Sequence, residues 1–152
     1  MIGSKILRKI MNLIGVSSEK SKMPMAPETK MYVILREDLS MKYISGTHAV
    51  VQFGLEHPNE FKEWNNGKIV CLSVFNGLAL SYIHTQIADA VVKYLLEKNI
   101  KVNNYDDYSS ETPYRYSVFV EPDLQSPLPT AIAFYNNCGQ GEILKHLSLA
   151  TK

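Results

Sequence analysis

The sequence predicts a three-layer α/β domain, with a mixed and mainly four-stranded sheet that carries helices on both faces. Short apolar runs typical of strands alternate along the chain with segments of helical periodicity. The run Lys68–Val74 is almost continuously apolar, which favours a strand covered on both faces. Late in the chain, two strand-like runs flank a proline-rich turn, and this arrangement indicates an antiparallel hairpin.

The elements follow from local patterns in chain order. Apolar runs rich in β-branched or aromatic residues predict strands, and apolar residues at helical spacing predict helices. Asn59 is a natural N-cap for a short helix, and Asn65-Asn66-Gly67 ends that helix. The predicted strands are Met31–Leu35, Lys68–Val74, Ile100–Asn103, Tyr114–Val120 and Thr130–Tyr135, and the predicted helices are Thr47–Glu56, Glu60–Trp64, His84–Asn99 and Glu142–Leu149.

The chain of 152 residues, with 45% hydrophobic and 20% charged residues, suits a single folded domain with an N-terminal addition. Residues 1–29 are predicted to form a basic amphipathic helix, with Ile6, Ile10 and Ile14 on one face, followed by a linker. This helix can bind a partner or an anionic membrane surface, or it can pack on its own domain or a neighbouring subunit. Residues 30–152 form the predicted domain.

Charge and cysteine content limit the classes of function. Residues 1–30 carry a net charge of +4 and the remainder carries −3, with histidines counted as neutral. A net negative charge on residues 31–152 disfavours tight binding to nucleic acid, because phosphate contacts supply most of that affinity. Two cysteines are too few for a disulfide framework, which favours a reducing, cytoplasmic setting. The low net charge and the N-terminal helix are also compatible with a homo-oligomer.

The first strand and the helix after it are the expected place for chemistry. Arg36, Glu37 and Asp38 follow the apolar run directly, and His48 lies early in the next predicted helix. Ligands of open α/β sheets bind beyond the carboxyl ends of strands, so these polar residues are expected to face a ligand. Histidine side chains often act as general bases near neutral pH. The alternative is a surface histidine beside a local Arg36–Asp38 ion pair of little energetic value.

Two motifs resemble those of the type II peptidyl-tRNA hydrolases. The first is Arg36-x-Asp38-Leu39-x-Met41, a turn, and then His48-Ala49 opening a helix. The second is Phe119-x-Glu121-Pro122-Asp123-Leu124 followed by Thr130-Ala131-Ile132-Ala133, which is similar to the late hairpin of bacterial and viral members. The resemblance covers Lys30 to the C-terminus. It implies a mixed four-stranded sheet with helices on both faces, in agreement with the pattern.

The resemblance also implies an activity, which is hydrolysis of the ester that joins a peptide or amino acid derivative to the 3′ end of tRNA. His48 would then orient or deprotonate water, Asp123 would fix the imidazole or the water, and Thr130 would donate a hydrogen bond to the substrate carbonyl. Arg36 and Lys42 would bind the phosphate or the developing charge. The turn before His48 is several residues shorter than the family's, and Lys42 matches the family lysine only across a gap.

A second function is a non-catalytic module of the same fold that binds a nucleotide or a protein. A basic patch of Arg36, Lys42, Lys68 and Arg115 around His48 would favour the hydrolase, and an apolar or acidic surface would favour the module. Neither function requires a metal ion or an organic cofactor. Asp106 and Asp107 invite a metal interpretation, but adjacent carboxylates in a polar loop are more typical of a solvated turn.

Overall fold

The structure, a computed structural model, describes residues 29–101, 112–136 and 141–151. The predicted N-terminal helix and linker, the Asp106-Asp107 loop and most of the predicted strand at Ile100–Asn103 lie outside the described residues. Two residues of that predicted strand, Ile100 and Lys101, are described, and they are not in a strand.

The described elements alternate between strand and helix for most of the chain. In chain order they are β1 (Lys30–Arg36), α1 (Lys42–Glu56), α2 (Pro58–Trp64), β2 (Lys68–Val74), α3 (Gly77–Glu97), β3 (Tyr114–Phe119), a 3₁₀ turn (Pro122–Leu124), β4 (Ala131–Asn136), α4 (Gly141–Leu144) and β5 (Ser148–Leu149).

The strands form one mixed sheet in the order β3-β4-β1-β2-β5. β1 and β2 are parallel, and the other described pairings are antiparallel. The predicted α/β class is therefore confirmed, although this sheet has five strands where mainly four were expected. The fifth strand arises because Ser148 and Leu149 pair with Ser73 and Leu72. The predicted terminal helix accordingly ends at Leu144.

The central strand β1 divides the apolar core into two layers, because successive side chains of a strand point to opposite faces. Tyr32 and Ile34 face α3 on one side of the sheet. Met31, Val33 and Leu35 face α1 and α2 on the other side. Met31, Ile34 and Leu35 are fully buried. Helices cover both faces of the sheet, as the sequence predicted, and burial of both faces explains the apolar sequence of β1.

Side-chain caps and close packing set the helix boundaries. α3 begins at Gly77, seven residues before the predicted start, because Asn76 caps it by accepting a hydrogen bond from the Ala79 amide at 3.0 Å. α1 begins at Lys42, so Gly46 lies inside the helix rather than in the turn before it. A β-carbon on Gly46 would lie 2.7 Å from Leu35 Cδ2, so α1 packs very closely on β1.

Side chains cover the outer edge of β3. The Gln52 amide donates to the Val118 carbonyl at 3.2 Å, and His57 Nε2 lies 3.0 Å from the Tyr116 carbonyl. An uncovered edge strand invites pairing with another chain, and these contacts from α1 and the α1–α2 junction protect it. The same contacts fix β3 against α1, and this places the end of β3 beside His48.

Candidate functional site

Three strand ends meet at one edge of the sheet. Arg36 ends β1 opposite Val74 of the parallel β2, and the Glu37 amide continues the ladder by donating to the Val74 carbonyl at 2.9 Å. β4 begins at Ala131 opposite Leu35, so the loop before β4 arrives at the same edge. This edge, with Arg36, Asp38, Lys42, His48 and Thr130, is called the carboxyl-edge site below.

Arg36 is largely buried, with 8% of its surface exposed, and all its hydrogen bonds are internal. Nε and Nη2 donate to the two carboxylate oxygens of Asp38 at 3.0 and 2.8 Å, and Nη1 donates to the Pro129 carbonyl at 3.3 Å. The hydrogen bond from Arg36 lowers the pKa of Asp38, and the same bond raises the pKa of Arg36. The guanidinium therefore joins the end of β1 to the loop before β4, and its charge is balanced within the domain.

Lys42 is also paired within the domain. Its ammonium donates to Glu37 Oε2 at 2.5 Å and to the Thr151 hydroxyl at 3.4 Å. The Thr151 amide and hydroxyl donate to the same carboxylate at 3.2 and 3.0 Å. These bonds, with the one from Lys42 the largest cause, lower the pKa of Glu37 to about 2. The cation expected to bind substrate is thus held by Glu37 and by the C-terminal segment.

His48 is exposed on α1, as the seventh residue of the helix. Its ring meets the Phe119 ring edge-on, with the centroids 4.9 Å apart and the planes at 81°. No hydrogen bond joins the imidazole to another described residue. Both ring nitrogens are therefore available to a ligand or water, while the Phe119 contact restricts the orientation of the ring.

Thr130 connects the end of β3 to the start of β4. It is 1% exposed, and its hydroxyl and its amide both donate to the Phe119 carbonyl, at 3.0 and 2.8 Å. Phe119 thus contacts His48 through its ring and Thr130 through its carbonyl. Because Arg36 bonds the neighbouring Pro129 carbonyl, Arg36, His48 and Thr130 are linked in one continuous cluster.

Asp123 is a predicted site residue that this cluster does not include. It lies exposed in the 3₁₀ turn Pro122–Leu124, and no hydrogen bond or ion pair links it to His48 or Thr130 among the described residues. The Leu124 amide closes the turn by donating to the Glu121 carbonyl at 3.4 Å. Asp123 therefore stands on the loop that borders the site and not within its hydrogen-bond network.

The four-cation patch around His48 is not formed. Lys68 pairs with Lys30 at the start of β1, and Arg115 pairs with Tyr135 at the same, opposite end of the sheet. Exposed apolar side chains instead border the carboxyl-edge site. Phe75, 80% exposed, follows β2, and Met41, Val120 and Leu124 stand in the neighbouring connections.

Sequence reasoning missed Phe119 as a site residue, as well as the roles of Glu37 and Thr151. Phe119 lies in the predicted strand Tyr114–Val120, and nothing in its sequence context indicates contact with a residue 71 positions earlier. Glu37 carried a better signal, because it lies five residues before Lys42 across a turn. The contact of Thr151 with Glu37 depends on the pairing of β5, and a strand of two residues leaves no recognisable pattern in the sequence.

No protein-family model matches the chain, and a search of curated proteins finds no significant match. Among the described residues, no group of three or more histidine, cysteine, aspartate or glutamate side chains could hold a metal ion. None of the helices in the described ranges is both long enough and apolar enough to cross a membrane.

Proposed function

We propose that this chain hydrolyses the ester bond of peptidyl- or aminoacyl-tRNA with an activated water, in the cytoplasm. The observation that carries the proposal is the cluster at the carboxyl ends of the strands. An exposed imidazole without a described hydrogen-bond partner stands there against Phe119, and Thr130 and Arg36 fix the neighbouring backbone. The motif resemblance supplies the substrate class.

The reaction needs a group that activates water and donors for the developing oxyanion. In this proposal His48 orients or deprotonates the water, and the edge contact with Phe119 limits the positions that the imidazole can take. Asp123, on the bordering loop, would fix the imidazole or the water. To donate to the substrate carbonyl, the Thr130 hydroxyl would have to give up its hydrogen bond to the Phe119 carbonyl. That carbonyl would still accept a hydrogen bond from the Thr130 amide. One such exchange costs about 1 kcal/mol.

The cations of the site have a positioning role in this proposal. Arg36 and Lys42 are each paired with a carboxylate, so binding a phosphate would require an existing ion pair to be exchanged. Arg36 instead holds the loop before β4 in place. Phosphate attraction then comes from the basic residues 1–30, whose net charge is +4.

The test is release of the acyl group from peptidyl-tRNA and aminoacyl-tRNA by wild type, His48→Ala and Asp123→Asn. We expect His48→Ala to lower kcat/KM by roughly a hundredfold or more, the usual contribution of a general base. Thr47→Ala is the matched control, because Thr47 is the exposed neighbour of His48 and its hydroxyl only bonds the Tyr43 carbonyl of the same helix. Equal activity of His48→Ala and wild type would refute the assignment.

The second candidate is a non-catalytic module that binds a nucleotide or a protein. The paired cations and the exposed apolar border of the site favour it, because this surface has little free positive charge and much exposed carbon. It predicts no turnover of acylated tRNA even at high protein concentration, together with binding that Phe75→Ser weakens. Turnover that disappears in His48→Ala would reject this candidate.

A further inference from the structure

The outer face of α3 carries a regular stripe of exposed residues. The inner face of this helix is buried in the core through Leu80, Ile83 and Ile87. A helix on the surface of a domain normally presents polar residues on its other face. On α3 that other face instead has a pattern that repeats at alternating intervals of four and three residues. The members of this α3 stripe are Leu78, Tyr82, Thr85, Asp89, Val92 and Leu96.

The α3 stripe has apolar ends and a polar centre. Its exposed apolar side chains, between 44% and 74% exposed, are Leu78, Tyr82, Val92 and Leu96. Thr85 and Asp89 lie between them and are also exposed. Alternating intervals of four and three residues are typical of a helix that packs lengthwise against a second helix. The spacing therefore favours a helix as the partner of this surface.

The α3 stripe is symmetric in its distribution of apolar and polar residues, and Ile87 is the centre of symmetry. The symmetric pairs are Leu78 and Leu96, nine residues to either side of the centre, Tyr82 and Val92, five residues to either side, and Thr85 and Asp89, two residues to either side. In a twofold dimer the same patch of each copy contacts the other, so each pair of contacts occurs twice. Two antiparallel α3 helices would therefore bring the apolar ends of each stripe against the apolar ends of the other.

The polar centre favours the antiparallel direction over the parallel one. Asp89 is the only charged member of the α3 stripe, and in a parallel pair it would face the partner's Asp89, which has the same charge. In the antiparallel pair it faces the partner's Thr85, whose hydroxyl can donate to the carboxylate. The Thr85 hydroxyl donates at present to the Ser81 carbonyl at 3.1 Å, and that carbonyl keeps its helical bond from the Thr85 amide after an exchange. A polar pair within an apolar seam fixes direction and register in helix pairs of this kind.

We propose that two copies of this chain associate through an antiparallel pair of α3 stripes. The helix has 21 residues. It is therefore about 30 Å long, and a single helix pair of that length falls at or below the low end of the about 1,200–2,000 Å² that stable interfaces bury. The expected dimer is reversible, with a Kd of about 1–100 μM. It is independent of the proposed hydrolase activity, because α3 covers one face of the sheet whereas His48 lies on α1, which covers the other.

Sedimentation equilibrium of the full chain, from about 1 μM to about 1 mM, tests the proposal. We expect a reversible equilibrium between monomer and dimer. Leu96→Lys places a charge at an apolar end of both stripes and is expected to raise the Kd more than tenfold, because two buried leucine side chains are lost per dimer. Leu55→Lys is the matched control and should leave the Kd unchanged. Leu55 is equally exposed, at 80% against 74%, but it lies on α1.

Thr85→Lys tests the direction of the helix pair by a gain of affinity. In the antiparallel dimer each new lysine faces the partner's Asp89, so two ion pairs form and the Kd is expected to fall by roughly threefold or more. In a parallel dimer the two lysines would face each other and the Kd would rise. Thr47→Lys is the control with the same change in net charge, because Thr47 is also an exposed helical threonine whose hydroxyl donates to the carbonyl four residues earlier.

Melting curves show whether each variant is folded. A chain that stays monomeric over the whole range would overturn the proposal, and a melting temperature lowered by Leu96→Lys in that monomer would indicate that residues of the same chain cover the α3 stripe. A dimer that Leu96→Lys does not weaken, or that Leu55→Lys weakens equally, would place the contact elsewhere and also overturn it. A higher Kd in Thr85→Lys would contradict the antiparallel pair. A dimer weakened by Leu96→Lys and strengthened by Thr85→Lys, with both controls unchanged, would support the proposal.

Discussion

At the scale of single residues, the charged side chains of the carboxyl-edge site are paired with one another. Asp38 receives two hydrogen bonds from Arg36, and Glu37 receives bonds from Lys42 and Thr151. Each carboxylate has a lowered pKa for that reason. The consequence is that protonation, rather than salt alone, should loosen this edge of the sheet.

The pH dependence of Glu37 follows from the direction of its shift. Its folded-state pKa is about 2 against an ordinary value of 4.5, so its pairing stabilises the fold fully above pH 4.5. That contribution is lost as the pH falls through about 2. In Lys42→Met the largest cause of the shift is absent, and we expect the Glu37 midpoint, followed by carboxyl NMR, to move up toward 4.5.

The difference in melting temperature between wild type and Lys42→Met should accordingly shrink as the solution is acidified. Lys93→Met is the control, because the Lys93–Glu97 pair spans 4.0 Å between exposed side chains and should contribute little at any pH. If the titration midpoint of Glu37 stays near 2 in Lys42→Met, the hydrogen bonds from Thr151 lower the Glu37 pKa without the lysine.

Thr130 gives a second residue-scale prediction. Thr130→Val keeps the shape of the side chain but removes the hydroxyl that bonds the Phe119 carbonyl. The carbonyl still accepts the backbone amide of residue 130, so we expect the free energy of unfolding to fall by only about 0.5–1.5 kcal/mol. Thr130→Ser retains the hydroxyl and should recover the hydrogen-bond part of this loss. Urea unfolding measures both, and a loss in Thr130→Ser as large as in Thr130→Val would assign the effect to packing.

At the scale of elements, the sequence specifies the strands better than the helix starts. The predicted Lys68–Val74 matches β2, and the runs at Met31 and Tyr114 match β1 and β3 to within one residue at each end. Burial on both faces gives β1 an apolar pattern that is visible locally in the sequence. α1 begins earlier than predicted because Gly46, which suggests a turn, packs closely on β1 inside the helix, and α3 begins earlier at Gly77. Asn76 was the available signal for α3.

The candidate site was less accessible to sequence reasoning than the fold. Local patterns placed Arg36 and His48 at a strand edge, and the family resemblance added Thr130. The three residues do lie in one cluster. Lys68 and Arg115 were grouped with them by charge alone, and the strand register carries both to the opposite end. Register depends on pairing across the whole sheet, and a shift in pairing relocates every side chain of a strand.

Gly46 provides the element-scale prediction. Alanine is a better helix former than glycine by about 1 kcal/mol, which alone would stabilise α1. A β-carbon at this position would, however, lie 2.7 Å from Leu35 Cδ2 and 3.1 Å from Val33 Cγ1, and both partners are buried in β1. Overpacking of this kind costs about 1–3 kcal/mol, so we expect Gly46→Ala to be destabilising by roughly 1–2 kcal/mol after the propensity gain.

Denaturant unfolding of Gly46→Ala beside Thr47→Ala isolates the packing cost, because Thr47 occupies the next position of α1 on its exposed side. Thr47→Ala should stay within about 0.5 kcal/mol of wild type. A Gly46→Ala variant that is more stable than wild type would mean that Leu35 can move away without loss.

At the scale of the whole molecule, charge is divided between two parts of the chain. Residues 1–30 carry +4 and the remainder carries −3. Within the described residues, Arg36 and Lys42 at the proposed reaction edge are both paired with carboxylates. If the chain acts on tRNA, long-range attraction to the phosphates therefore depends mainly on the N-terminal residues, while the domain supplies the chemistry.

The salt dependence of tRNA binding tests this division. Each phosphate contact contributes to the slope of log affinity against log salt by a little under one, so Lys5→Gln, Arg8→Gln and Lys9→Gln together should make the slope shallower by roughly two to three. The matched control removes three cations from the body with Lys93→Gln, Lys98→Gln and Lys101→Gln, and it should change the slope by less than one. Because both triple variants lower the net charge equally, a similar change in both would show that overall charge, rather than its location in the first 30 residues, governs the attraction. A change confined to the N-terminal variant, with kcat for bound acyl-tRNA retained, would separate binding of the nucleic acid from the proposed ester hydrolysis at His48.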